Sequence, residues 1–169
     1  MKTPSAEFKL TVTKFRNILK TPDKQRGTLY QMRAVRYDSD LVRVEKYTAG
    51  RRKGFVRRIK IHPGSVALRF RVDQPAGSAD HYSPVGIAFV RKGQRKRRTL
   101  AARPVGKAFP PHTMALDEVN RALSITAEFP KGRSPDEGQY EFFLFIQHDE
   151  SGKLGIIDPP LDHDHTDQA

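Results

Sequence analysis

The stretch Val66-Ala-Leu-Arg-Phe-Arg-Val-Asp73 alternates apolar and polar residues for eight positions. Val66, Leu68, Phe70 and Val72 share one parity, and the residues between them are alanine or charged. Successive side chains of a β-strand point to opposite faces, so this pattern predicts a strand with one face in the core and the other in water.

The same period of two recurs along the chain and indicates an all-β protein. Leu123–Phe129 and Phe8–Val12 alternate in the same way, whereas helical spacing is confined to Thr113–Arg121, where we expect a turn or two of helix. Glycine and proline, 12 of each, concentrate between the apolar segments, as in a fold of short strands. Less regular strand candidates are Leu29–Tyr37, Leu41–Tyr47, Phe55–Ile61 and Val85–Val90.

These segments predict a single antiparallel β-sandwich of about seven to nine strands over residues 1–160. Its core is expected to come from the inward residues of the alternating strands. Residues 161–169 are polar, acidic and contain histidine, so we expect a flexible tail there. The predicted core residues are Leu10, Val12, Val66, Leu68, Phe70, Val72, Leu123, Ile125, Phe129, Tyr140, Phe142, Leu144 and Ile146.

A short motif precedes the most apolar strand. Asp136, Gly138 and Tyr140 form the pattern D-x-G-x-Y, and the hairpin partner Lys153–Asp158 follows that strand. The motif resembles the tyrosine corner of immunoglobulin-like sandwiches. The resemblance implies an immunoglobulin-like or cupredoxin-like fold, but the chain has no Cys and no Trp, and Phe142 stands where antibody domains place a Cys.

The end of the chain resembles a second group of proteins. An aromatic strand, a glycine turn and Asp158-Pro159 look like the ends of small bacterial sandwich proteins of the family named for its Asp-Pro and Glu-Pro dipeptides. The chain has no Glu-Pro. Neither resemblance implies a catalytic residue.

Positive charge is unevenly distributed. The net charge is +12, but residues 1–107 hold 27 Lys and Arg against 7 Asp and Glu, a balance of +20, and residues 108–169 hold 4 against 12, a balance of −8. Such a field is informative about partners rather than about the fold. The candidate binding residues form two basic runs, Arg51, Arg52, Lys53, Arg57 and Arg58, and Arg91, Arg95, Lys96, Arg97 and Arg98.

The basic runs favour a non-enzymatic binding module for a polyanion, such as nucleic acid, or for an acidic protein partner. Tyr47, Phe55 and Phe89 lie beside the runs, and aromatic rings in a basic groove hold single strands by stacking. From the alternation alone, Phe55 and Phe89 are equally well placed as core residues, and the runs themselves fit solvated loop tips. Alternatively, the basic and acidic surfaces pair with each other in a self-assembling structural or storage protein.

Strand Tyr140–Ile146 is apolar on both faces. Phe143 and Phe145 lie on the outer face, where an ordinary sandwich strand is polar. Either another part of the chain covers these rings, or they form an interface with a partner or a second copy.

No catalytic residue or cofactor is predicted. No nucleophile elbow or phosphate-binding loop is present, and a loop-end enzyme site has no support. His163 and His165, among Asp162, Asp164 and Asp167, are weak metal-ligand candidates because a tail lacks groups that orient the imidazoles. The absence of Cys, of an apolar block in Met1–Lys14 and of any stretch near ~18 apolar residues leads us to expect a cytoplasmic protein with no membrane contact.

Overall fold

The computed structural model describes residues 4–18, 27–74, 76–92, 108–129, 138–157 and 160–163, with the backbone alone at 90–92, 138–142 and 160–163. Within these ranges the chain forms eleven strands and one 3-10 turn, Pro111–Thr113, and no α-helix. None of the described segments is a helix of the length and apolarity that a bilayer crossing requires. The strands are β1 (Ser5–Lys14), β2 (Leu29–Arg36), β3 (Val42–Lys46), β4 (Val56–Ile61), β5 (Gly64–Asp73), β6 (Tyr82–Lys92), β7 (Ala115–Asp117), β8 (Ala122–Phe129), β9 (Gly138–His148), β10 (Leu154–Ile157) and β11 (Pro160–His163).

The alternating segments form strands with the predicted inward face. The apolar parity of β5 is buried along its length, and Leu68 pairs with Ile125 of β8 in the interior. The all-β prediction is confirmed, and the predicted core residues are buried wherever their side chains are described. Tyr140 and Phe142 lie outside the described side chains.

The strands form two mixed sheets. Sheet 1 has the order β2-β1-β5-β8-β7, and its β1–β5 pair is parallel. In sheet 2, β9 pairs with β6 on one edge and with β10 and β11 on the other, and the parallel β11–β4 pair leads to β3 at the far edge. The prediction of one antiparallel sandwich of seven to nine strands is therefore wrong. Alternation reports which face of a strand is buried, and a parallel and an antiparallel strand produce the same alternation.

One apolar core joins the two sheets. Phe8 stacks on Phe70 within sheet 1, with ring centroids 5.7 Å apart. Phe109 stacks on Phe89 of sheet 2 at 3.7 Å and meets Phe129 of sheet 1 edge-on at 5.6 Å. Contacts between aromatic rings thus fix the distance between β6 and β8.

The predicted helical turn over Thr113–Arg121 is wrong. This segment contains β7 and a turn into β8, in which the Asp117 carboxylate accepts hydrogen bonds from the backbone and side-chain N–H groups of Asn120. Arg121 then adopts a left-handed φ of 47°. A short acidic side chain that bonds its own turn competes with helix formation.

The predicted tail boundary falls within a strand. Leu161 pairs with Ile59 of β4 and with Tyr140 of β9, so residues 161–163 belong to sheet 2. Residues 164–169, including His165, lie outside the described residues.

Candidate polyanion interface

The first basic run lies on a closed hairpin loop between β3 and β4. The N–H of Tyr47 donates to the Phe55 carbonyl at 3.0 Å, and the N–H of Gly54 donates to the Tyr47 carbonyl at 2.9 Å. Gly50 and Gly54 take φ values of 78° and 86°, which glycine tolerates and other residues rarely adopt. The loop presents three consecutive exposed cations, Arg51, Arg52 and Lys53.

Aromatic side chains line an open hollow beside this loop. The hollow is shallow and open to solvent, and it lies where β2, an edge strand of sheet 1, approaches the β3–β4 hairpin of sheet 2. It does not enclose a small molecule as a deep pocket does, so it suits a group presented from outside. Its lining residues are Tyr30, Gln31, Met32, Tyr47, Arg52, Phe55 and Val56.

Two guanidinium groups lie over two of the rings. The Arg33 guanidinium carbon is 4.5 Å from the centroid of the Phe55 ring. That of Arg52 is 5.7 Å from the Tyr47 ring, and Arg52 Nη1 donates to the Tyr47 hydroxyl at 3.4 Å. Such cation–π contacts place positive charge and ring faces in one surface.

The cations of this surface have no carboxylate partners among the residues that the structure describes. We call the set Arg33, Arg51, Arg52, Lys53 and Arg57 the hairpin cations, and all five are exposed. Arg58, also predicted as a binding residue, is half-buried and has an interaction of its own, so it is less available.

The second basic run begins at the other end of sheet 2. Lys92 pairs with Gln139 of β9, Gln139 pairs with Asp162 of β11, and Asp162 pairs with Lys60 of β4. The end of β6 is therefore level with the end of β4, whereas the hairpin loop lies before the start of β4. Arg91 is the preceding residue of β6, and its side chain is not described. Residues 95–98, which complete the predicted run, lie outside the described residues. The interface therefore rests on the first run.

The outer face of sheet 1 is also basic, but four of its cations lie beside carboxylates. Lys9 Nζ lies 2.8 Å from the Asp73 carboxylate, Arg36 lies 3.3 Å from Glu7, and Arg71 lies within 4.0 Å of both acids. We call Lys9, Arg36, Arg69 and Arg71 the sheet cations.

The shortest contact of this face shifts a titration. Arg69 Nη2 donates to Asp117 Oδ2 at 2.8 Å. This hydrogen bond, supported by those from Asn120, lowers the pKa of Asp117 from its ordinary 3.8 to about 2. Arg69 is therefore paired with a carboxylate that stays ionised in mild acid.

The flanking aromatics fall into two classes. Phe89 packs against the core through Phe109, as the core interpretation predicts. Phe55 is half-buried beneath Arg33 and lines the hollow. Phe143 and Phe145 are half-buried, and Phe145 pairs with Gly86 on the adjacent strand. Their role as an interface stays a prediction.

A separate cluster surrounds His148 at the opposite edge of the molecule's second sheet. Its Nε2 lies 2.9 Å from Asp80 Oδ1 and 3.2 Å from Glu150 Oε2, and its Nδ1 lies 2.7 Å from Ser151 Oγ. Burial, and then the negative charges of Asp80 and Glu150, raise the pKa of the neighbouring Tyr82 phenol. The side chain of His163, the weak metal candidate in the former tail, is not described.

Both groups contain residues that sequence reasoning missed. Tyr30 and Arg33 belong to β2 and reach the hairpin only because the edges of two different sheets meet. Asp80 reaches His148 because Tyr82 pairs with it across β6 and β9. Of this cluster, the sequence could have indicated only the proximity of His148 and Glu150, which are two residues apart.

Comparison of the chain with protein-family models finds no matching model, and a search of the curated proteins finds no match either. The function therefore has to be inferred from the geometry of the chain's own surfaces.

Proposed function

We propose that the protein is a non-enzymatic binding module that holds a single-stranded nucleic acid against the β3–β4 hairpin. The observation that carries this proposal is that half-exposed aromatic rings share one surface with hairpin cations that have no carboxylate partner in the described part of the chain. Cations alone track a phosphate backbone, while rings accept bases by stacking, and single-strand binders combine the two.

The geometry favours a single strand over a duplex. The rings of Tyr47 and Phe55 lie among cations at the surface of the hollow. An unpaired base presents its face to such a ring, whereas a base in a duplex is already stacked on both sides.

The first experiment compares ligands on the unmodified chain. Fluorescence anisotropy with a labelled oligothymidine should give an affinity that falls with salt, with a slope of log K on log salt near −0.7 for each phosphate contacted, hence about −2 to −3 for three or four contacts. Inorganic polyphosphate and a duplex of equal phosphate number should bind more weakly. Equal affinity for polyphosphate and oligothymidine would show that the protein binds polyanions without base stacking, and would contradict the single-strand proposal.

The second experiment compares charge-matched variants. Arg51→Ser with Lys53→Ser removes two hairpin cations, and Lys9→Ser with Arg36→Ser removes two sheet cations. We expect the first pair to weaken oligothymidine binding about tenfold or more at low salt and to reduce the slope by about 1.4, with little change in the second pair. Equal losses in both pairs would show that binding follows net charge and not this surface.

Self-assembly and an acidic protein partner are the alternatives. If basic and acidic surfaces pair between copies, sedimentation without ligand should show oligomers at low salt that dissociate as salt rises. The nucleic-acid proposal requires a protein that stays monomeric across the same salt series. Preferential binding of polyglutamate over oligothymidine would favour an acidic protein partner.

We further propose a kinship with immunoglobulin-like or cupredoxin-like folds. Its support is the tyrosine-corner sequence, together with the position of Tyr140 in β9 just after its first residue, Gly138, and before the last strands of the chain. Tyr140→Phe should destabilise the protein by about 1 kcal/mol in urea unfolding if the phenol bonds the preceding turn. The kinship with the Asp-Pro and Glu-Pro family stays a prediction.

A further inference from the structure

The His148 cluster joins three potential metal ligands from two parts of the chain. Asp80 lies in the loop before β6, His148 ends β9, and Glu150 lies in the β9–β10 turn. One ligand atom of each lies within 4.8 Å of both others. The N–H of Asp149 donates to the His81 carbonyl at 2.9 Å, so a backbone hydrogen bond holds the two parts together.

The imidazole is held in one orientation from outside the cluster. Phe15 and Tyr82 pack against the ring, with centroids at 5.7 and 5.4 Å. Ser151 Oγ bonds Nδ1 at 2.7 Å, and the same oxygen accepts the Lys153 N–H at 3.3 Å. A metal-bound histidine characteristically has its second nitrogen bonded in this manner, because that bond fixes the ring and its tautomer.

The remaining nitrogen faces negative charge. When Nδ1 carries the proton and donates it to Ser151, the lone pair of Nε2 points toward the oxygens of Asp80 and Glu150 at 2.9 and 3.2 Å. Two lone-pair regions at that distance repel unless a positive centre lies between them. A proton on Nε2 or a metal ion supplies that centre.

We propose that Asp80, His148 and Glu150 form a binding site for a divalent transition-metal ion, with zinc as the probe ion. Ligands of a tetrahedral zinc lie about 3.3 Å apart, given bonds of about 2.0–2.1 Å. Nε2 is 2.9 and 3.2 Å from the two oxygens, and the oxygens lie within 4.8 Å of each other, so modest side-chain movements would reach this geometry. The side chains of Asp80 and Glu150 are 57% and 46% exposed, which leaves room for these movements, and Glu150 Oε2 also accepts a long hydrogen bond of 3.4 Å from the His81 N–H.

The donor set selects the class of ion. One imidazole and two carboxylates suit zinc and its neighbours in the transition series, whereas calcium and magnesium take oxygen ligands in larger number. Two carboxylates and a neutral imidazole balance the charge of a divalent ion. Three protein ligands leave a fourth position for water or another ligand, and the ion would cross-link the start of β6 to the β9–β10 turn.

Calorimetry on the full chain tests the site, with zinc chloride added after chelator treatment. We expect one zinc ion per chain and at least tenfold weaker binding in both Asp80→Asn and His148→Asn. Zinc should raise the melting temperature of the unmodified chain and not of these variants, since an ion that binds the folded state stabilises it. Cobalt should show the visible absorption of a tetrahedral site, and this band should be absent in His148→Asn.

Matched variants separate this site from the chain's other histidines. His163→Asn with His165→Asn removes both C-terminal imidazoles and should leave zinc binding unchanged. Loss of binding in that variant, undiminished binding in Asp80→Asn, or an affinity in the unmodified chain no higher than that of a peptide of residues 161–169 would each overturn the proposal. If His148→Asn fails to fold, Asp80→Asn and Glu150→Gln, which change exposed carboxylates, provide the same comparison. The outcome is independent of nucleic-acid binding.

Discussion

The outer face of sheet 1 and the hairpin surface are both rich in cations, but within the described ranges the sheet cations contact carboxylates and the hairpin cations do not. The sheet cations meet Glu7, Asp73 and Asp117 at 2.8 to 4.0 Å. The hairpin cations have no such carboxylates among the described residues, and two of them lie over aromatic rings. Electrostatically, the first surface is a set of ion pairs, whereas the cations of the second lack counter-charges among the described residues, as the proposed anion site requires.

This difference shows why the number of cations does not locate a polyanion site. A cation that already has a carboxylate partner must give it up before it contacts a phosphate, whereas an unpaired exposed cation loses only water and mobile anions. The partner of a cation, more than its presence, decides whether the cation is available. The following experiments alter the pairing or the rings in each region.

Removal of four hairpin cations should have the largest effect. Arg51, Arg52, Lys53 and Arg57, each replaced by Ser, should lower the affinity for oligothymidine by about 100-fold or more near 50 mM salt, since each lost phosphate contact removes its counterion release. Anisotropy across a salt series measures both the affinity and its slope.

The control for this variant removes four sheet cations, Lys9, Arg36, Arg69 and Arg71, with the same change in net charge. We expect less than a threefold change in affinity, with circular dichroism used to confirm that each variant is folded. A comparable 100-fold loss in the control would contradict the distinction between the two regions.

Freeing the sheet cations should create a second, weaker site. Glu7→Gln with Asp73→Asn removes the carboxylates that Lys9, Arg36 and Arg71 now contact, and about tenfold tighter binding of polyphosphate at low salt should follow. Oligothymidine should gain no more than polyphosphate. Among the described residues, none of the four sheet cations lies over an aromatic ring, so a gain specific to oligothymidine would show that rings do not determine base preference.

Loss of one ring should have a smaller effect on the hairpin surface. Tyr47→Leu keeps an apolar side chain but removes the ring beneath Arg52, and about fivefold weaker binding of oligothymidine is expected because a stacked base contributes about 1 kcal/mol or more. Polyphosphate binding should not change. Val35→Ser, which alters an exposed apolar residue of β2 that does not line the hollow, is the control and should bind both ligands normally.

The strands could be predicted from sequence because alternation is a local property. Val66–Asp73 needs no information from elsewhere to reveal its buried parity, and the prediction survives in β5. Strand direction is different, since the parallel partner of β5 is β1, more than 50 residues earlier. Nothing in either segment distinguishes the two directions.

The candidate site was predictable only where it is contiguous in the chain. Arg51, Arg52 and Lys53 are adjacent and therefore visible in the sequence. Arg33 lies over the ring of Phe55, which belongs to the edge of the other sheet. Arg69 bonds the carboxylate of Asp117, 48 residues later. Both relations are products of the tertiary fold, and they decide which cations are available.

The smallest effect concerns the pairing of Arg69 in acid. The pKa of Asp117 is about 2 in the folded protein and near 3.8 when the chain unfolds, so the folded state favours the ionised carboxylate. That contribution is fully present above about pH 4 and is lost as the pH falls through 2. Asp117→Asn should therefore show a shallower decrease of the free energy of unfolding between pH 4 and pH 2 than the unmodified chain, measured by urea unfolding at each pH.

Glu118→Gln provides the control, because it makes the same change of charge one residue away and its carboxylate has no cation partner among the described residues. Its acid dependence should match that of the unmodified chain. If the acid dependence of Asp117→Asn also matches that of the unmodified chain, the Arg69 hydrogen bond does not hold the carboxylate ionised in solution. Arg69 would then be as available for a phosphate as the hairpin cations are. The Arg69–Asp117 contact would no longer distinguish the outer face of sheet 1 from the hairpin surface.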